Sequence, residues 1–434
     1  MREKSMKPFK LGVMGLQHMF AMFGATVLVP LITGLSVQIT LLGVGVGTLI
    51  FHFFAKGKVP AFLGSSFAFM AGIQLITNPV HGLFAGSGLE QNEKLAYATG
   101  AILVCGLLYL VLAGIVRLVG SERFMRIMPT IVTAPTVMLI GLMLAPHAIT
   151  QSATMLPLAA ITLAIVVAVN VWGKGMMKII PILLGLVGAY LVAVIMNAAG
   201  ITLADGSPIL NFDGVRDSHV VGMLPFMAPR FDLFAILIMI PFALATVAEH
   251  IGDIVALSSI TGKNFVKDPG LARTLIGDGL ATTFSGAIGG PASTTYGENV
   301  GVIALTKVHN PRVVQVAAIF ASVLAFSPMF AAIIHTIPEA IIGGASFMLY
   351  GMIAAVGVRN LVDEKIDMSK SKNLIIIAVM LVVGLGMRFT AADISFYIGD
   401  TNIPLGRMGL AIAVILGVIL NLILPDENKK ETRI

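Results

Sequence analysis

The sequence predicts an all-α polytopic membrane protein with fourteen transmembrane spans in a seven-plus-seven inverted repeat, and short strands in broken spans 3 and 10. Three observations carry this expectation. Hydrophobic residues make up 57% of the 434 residues and charged residues only 12%, and the mean hydropathy is +0.95, far from soluble averages. Apolar segments of about 20 residues, the length that crosses a bilayer as a helix, recur along the whole chain. Two of the segments, at corresponding places in the two halves, are interrupted by Pro, Gly and hydroxyl residues.

In order, the segments fall at residues 12–31, 36–55, 60–79, 95–116, 125–146, 154–172, 178–198, 232–259, 270–288, 293–306, 312–334, 338–357, 373–388 and 408–424. The stretch Met1 to Lys10 has the charge of a signal-peptide n-region, but the apolar run behind it continues to Pro30 without a cleavage site. It is expected to be a cytoplasmic tail entering a retained first helix. An even number of spans puts both termini on one side, and the basic residues test that count. The tails and the alternate loops on their side hold 23 of the 28 Lys and Arg residues, leaving Lys94, Arg216, Arg230, Arg388 and Arg407 on the other. Such a bias predicts cytoplasmic termini.

The formal charge of +6 lies in short clusters between apolar segments, which fits membrane orientation and not a nucleic-acid partner. One cysteine, Cys105, sits inside an apolar run, so no intrachain disulfide is possible. No Gly-x-Ser-x-Gly motif, paired nucleophile and base, or metal-ligand cluster is present, so neither an enzyme nor a cofactor or metal is expected.

The polar stretch from Gly200 to Phe231 divides the chain into halves of seven spans, and because seven is odd the second half enters the membrane inverted. The third span of each half is the unusual one. Pro60 to Phe69 reads PAFLGSSFAF and Gly290 to Asn299 reads GPASTTYGEN, with Ser65-Ser66-Phe67 matching Thr294-Thr295-Tyr296. Irregular backbone at membrane depth is tolerated only where protein or a filled cavity satisfies it, and broken segments at matching places in inverted halves point to a midplane site. A pair of re-entrant loops with a packing role is the alternative.

Four acids lie within spans, where ionisable groups usually face a cavity or a partner. Glu249 and Asp253 are four residues apart on one helix face, so their mutual repulsion raises the proton affinity of one of them and makes the face a candidate for carrying a proton. For Asp253, pairing with a loop lysine at the helix end is the competing reading. Glu298 begins an apolar run after the broken strand, where it can cap a half-helix, serve a ligand, or do both. Asp278 suits either ligand contact or a buried structural acid, and His18 suits either a structural hydrogen bond or a proton relay. Carboxylates that accept hydrogen bonds, set among half-helix N–H groups that donate them, fit a flat ring with N–H and carbonyl groups. Uracil and xanthine are such rings, and Phe67 and Tyr296 can cover their faces.

Gln17 to Pro30, Gly64 to Phe69, Ala248 to Gly252 and Thr294 to Asn299, with Glu298-Asn299-Val300-Gly301 running on to Thr306-Lys307, resemble the nucleobase-ascorbate transporter family, specifically its bacterial uracil permeases. The resemblance spans nearly the whole chain. It implies a core domain at residues 1–120 and 232–335, a gate domain at 121–199 and 336–425, an extracytoplasmic linker at 200–231 and a tail at 426–434. It further implies that Glu249 and Glu298 bind the ring, that backbone N–H groups at Phe67 and Gly297 meet its carbonyls, and that Tyr296 lines the site. Proton symport through Glu249, Asp253, Asp278 and His18, a bacterial cytoplasmic membrane, and a homodimer through the gate domain are implied as well. Asp253 stands where some uracil permeases carry a second histidine, and with Asp278 it resembles the purine branch; Glu298, where purine members carry Gln, favours uracil over xanthine or urate. A sulfate-type anion transporter is the rival class, disfavoured by the two glutamates.

Overall fold

In the computed structural model the described residues are 7–78, 82–390, 394, 396–398, 401–403 and 408–425. Residues 1–6 and 426–434 of the two expected tails lie outside them, as do Arg407 and the side chains of Glu298 and Arg388.

The described chain is built of helices with two small sheets. The helices are α1 (Pro8–Thr33), α2 (Val37–Phe54), α3 (Ala68–Thr77), α4 (Gln91–Val119), α5 (Ser121–Ile127), α6 (Thr130–Met143), α7 (Ala145–Ala153), α8 (Leu156–Trp172) and α9 (Pro181–Ala198). They continue with α10 (Asp213–Arg216), α11 (Leu233–Thr261), α12 (Leu271–Ala287), α13 (Gly297–Thr306), α14 (Pro311–Leu324), α15 (Pro328–His335), α16 (Glu339–Asp363), α17 (Ser371–Phe389) and α18 (Gly409–Ile423). Among the described residues seven helical segments are long and apolar enough to cross a membrane, or eight if the bent pair α14 and α15 is one span. This makes the protein a multi-pass membrane protein.

Local chemistry sets the breaks. Gly34 ends α1 in the left-handed region at φ 80°, and the Ser36 side chain then caps α2 by accepting from the Ile39 N–H. Two expected spans are not continuous helices. Residues 125–146 are divided among α5, α6 and α7, because Met128, at φ −119° and ψ 67°, precedes Pro129 and is held out of the helical region. Residues 312–334 bend by 89° between α14 and α15, where Ser327 precedes Pro328 and caps the new helix at the Phe330 N–H, 3.3 Å.

Strands β1 (Leu63–Ser65) and β2 (Ser293–Thr295) fall where the two interrupted segments were expected, and pair antiparallel with Leu63 opposite Thr295 and Ser65 opposite Ser293. A second antiparallel pair, β3 (Phe396–Ile398) with β4 (Thr401–Ile403), has no counterpart in the sequence expectations. α12 packs against α2 and α4, and α14 against α1 and α2, while α16 packs against α6, α7 and α8. α11 touches both groups, through α3 and α4 on one side and α6 and α18 on the other. Glycines allow the close crossing of α4 and α12: a Cβ on Gly106 would lie 2.6 Å from the Gly279 carbonyl oxygen, and one on Gly279 2.7 Å from that of Gly106.

Candidate functional site

Each strand of the central pair hangs from a threonine hydroxyl. The Leu63 N–H donates to Thr48 Oγ1 at 3.0 Å and the Thr48 hydroxyl donates to the Leu63 carbonyl at 3.3 Å. The Ser293 N–H donates to Thr282 Oγ1 at 3.2 Å, and that hydroxyl donates to the Ser293 carbonyl at 2.9 Å. Backbone that no helix satisfies at this depth thereby finds partners. Directly after the strands, α3 starts behind Phe67 and α13 behind Tyr296.

The rings of Phe67 and Tyr296 stack with centroids 6.2 Å apart and planes at 17°, and Tyr350 meets Phe67 edge-on at 6.0 Å. Tyr296 is locked in place. Its hydroxyl donates to the Ser65 carbonyl at 2.9 Å, and its ring lies over Gly64, where a Cβ would come within 1.9 Å of Cζ. Ser65 in turn donates to the Thr26 carbonyl at 2.9 Å, tying the strand to α1.

A cavity of about 320 Å³ brings Phe67, Glu249, Asp253, Tyr296 and Gly297 together. Both carboxylates come from α11, one turn apart, and are buried. A Cβ on Gly297 would lie 3.7 Å from Asp253 Oδ1, so the open start of α13 sits beside that acid, and its N–H groups favour negative charge there. Five of the predicted site residues thus share one space. Glu298 is the second residue of α13.

The lining includes neither Asp278 nor His18. Asp278 is fully buried on α12, with Oδ2 3.0 Å from Nδ1 of His250, whose Nε2 is 3.0 Å from the Thr274 hydroxyl. His18 Nε2 lies 2.6 Å from Oδ1 of Asn299, and the Asn299 amide donates to the Pro60 carbonyl at 3.0 Å, joining α1 and α13 to the segment before β1. The sequence reading gives His250 no role, although a histidine next to an intramembrane glutamate is a signal. Thr48 and Thr282 were missed altogether. Their one trace was a hydroxyl in the helix preceding each broken segment.

These features define a multi-pass membrane protein with a cavity that holds two buried acids where two half-helices begin. A model described as a permease family matches residues 9–392. The chain is 38% identical to the uracil permease of Bacillus subtilis, covering 98% of this chain and 94% of that one. It is 37% identical to a probable uracil permease of Haemophilus influenzae (97% and 96% covered) and 40% identical to the putative pyrimidine permease RutG of Escherichia coli (96% and 91%). The chain belongs to this permease family, the nucleobase-ascorbate transporters, whose members are transporters and not enzymes. Among solved structures, the transmembrane domain of the cyanobacterial bicarbonate transporter BicA has a similar fold, with a TM-score of 0.60 at 15% identity, covering 96% of this chain and 98% of that domain. SLC26A9 gives a TM-score of 0.64 at 15% identity, with 95% of this chain on 65% of that one. At these identities the likeness concerns the fold alone.

Proposed function

We propose that this chain is a proton-coupled symporter that imports uracil across the bacterial cytoplasmic membrane by alternating access. The observation that carries the reading is the convergence of Glu249, Phe67, Tyr296 and Gly297 on one cavity. The names of the relatives support a pyrimidine ring as the substrate. In this reading Glu249 and Glu298 accept the ring N–H groups, the backbone N–H groups at Phe67 and Gly297 donate to its carbonyls, and the stacked aromatic pair covers its face. Because Glu249 and Asp253 lie one turn apart, a proton on one relieves their repulsion, and substrate binding and protonation favour each other. Asp278, through His250, ties α12 to α11, and His18, through Asn299, ties α1 to α13, and in this reading both serve the path of that proton.

The proposal includes fourteen spans in two inverted halves with both termini cytoplasmic, for which the matching threonine cradles and the skewed loop charges are the support. It assigns residues 1–120 and 232–335 to a core domain that moves against a gate domain, 121–199 and 336–425, with residues 200–231 linking them outside the cell. A homodimer through the gate domains is part of the same proposal. Xanthine or urate is the alternative substrate on the strength of Asp253 and Asp278. A sulfate-type substrate fits poorly, because the carboxylates Glu249 and Asp253 are buried and would repel an anion, whereas the cations of the same lining, Lys178 and Arg359, are exposed.

Labelled-uracil uptake in vesicles with an imposed pH gradient tests the reading. Wild type is expected to accumulate uracil uphill and Glu249→Gln to lose that accumulation, with xanthine a poor competitor. Undiminished uphill uptake by Glu249→Gln would overturn the proposal, and strong competition by xanthine would move the substrate to the purines.

A further inference from the structure

A second cavity, of about 360 Å³, also has Phe67 in its lining. Phe67 is the residue common to both linings, and its ring is stacked on Tyr296 and met edge-on by Tyr350. The two linings differ in kind. The first cavity has Glu249 and Asp253; among the described residues the second has no carboxylate, and its polar lining is Gln74, Asn78, Gln91 and His147 with two threonines. Along α3 the lining residues Phe67, Ala71, Gln74 and Asn78 recur at helical spacing, so one helix face runs along this space from Phe67 to Asn78. Among the described residues the Gln74 carboxamide makes no hydrogen bond, and it faces this space.

We infer that this cavity is a second binding site for a neutral planar imide ring, an entry site on the extracytoplasmic path to the central one; the inference rests on the reading of the central cavity as a nucleobase site. A carboxamide offers one acceptor and two donors in a plane, which matches the alternating carbonyl and N–H edge of such a ring, and Phe67 forms an apolar floor for its face. The cavity is as roomy as the central one. With no carboxylate to protonate, the entry site selects for ring shape and edge before the proton is engaged.

Equilibrium binding of labelled uracil to the purified full-length protein in lipid nanodiscs tests this. Wild type is expected to bind in two phases, the weaker at least about tenfold lower in affinity, which corresponds to about 1.4 kcal/mol. Gln74→Leu should remove the weak phase and keep the tight one, and Glu249→Gln should do the reverse. A single phase in wild type that Glu249→Gln abolishes overturns the entry site and leaves the central reading standing. A tight phase that survives Glu249→Gln overturns the central reading instead. Should Gln74→Leu lose both phases, Gln74→Asn decides: a weakened second phase with the first intact supports the site, and loss of the tight phase there as well overturns it.

Discussion

Strand β1 is held by Thr48 of α2, and β2 by Thr282 of α12, each through one bond accepted from a backbone N–H and one given to the same residue's carbonyl. What stands around the two strands differs. The buried carboxylates near the site, Glu249, Asp253 and Asp278, all belong to α11 and α12, whereas β1 and α3 contribute the apolar ring of Phe67 and the bare backbone of Gly64. The scaffold is therefore built twice and the ionic chemistry once. A fixed, symmetric frame can carry a one-sided charge distribution, because the frame is satisfied by neutral hydroxyls that do not compete for a proton.

The largest expected effect breaks this comparison on its ionic side. His250 and Asp278 are both fully buried, 3.0 Å apart, and join α11 to α12. Removing one partner of such a pair leaves a charge or an unsatisfied polar atom in the interior, at about 3–5 kcal/mol. Thermal unfolding of the detergent-purified protein should show that loss in Asp278→Asn and in His250→Ala, and the double variant should lose much less than the two together. If either single variant unfolds like wild type, the pair is not what fixes α11 against α12, and the second half is less specialised than the carboxylates suggest.

Much of the frame was legible in the sequence because membrane depth leaves few choices. Glu249, Asp253 and Tyr296 stood out since acids and broken backbone in hydrocarbon need partners, and the structure collects them in one cavity. Helix ends were legible for the same local reasons: the expected 232–259 is Leu233–Thr261, opened by the Asp232 cap and closed by Gly262 at φ 67°. The breaks at Pro129 and Pro328 were harder to see, since each lies within an apolar run whose hydropathy is that of an unbroken span. Partners far apart in sequence were not legible at all. No periodicity links Asp278 to His250 or His18 to Asn299, and only the packing of α11 on α12 and of α1 on α13 brings them together.

A smaller effect sharpens the symmetric side. Thr48→Val and Thr282→Val keep the shape of each side chain and remove its hydroxyl, stranding one backbone N–H and one carbonyl in each cradle. Each should cost about 1–3 kcal/mol. The informative quantity is the difference between the two, read from unfolding midpoints in the same detergent. Near-equal losses mark the cradles as equivalent; a silent Thr48→Val beside a costly Thr282→Val would mean that the frame, like the chemistry, leans on the second half.

The smallest effect falls on one of the bonds that cross between the halves. Tyr296→Phe deletes the hydroxyl that donates to the Ser65 carbonyl at 2.9 Å, but leaves a ring of the same breadth lying on Gly64 and stacked on Phe67. The lost bond is worth about 0.5–1.5 kcal/mol, since the Ser65 N–H and carbonyl remain close to the paired strands and the ring keeps its packing. Because the aromatic face is intact, uracil affinity in the tight phase should fall by less than about tenfold. A much larger fall would show that the phenol itself meets the substrate, which would move Tyr296 from supporting the stack to taking part in recognition, and would place one more polar group of the site in the second half.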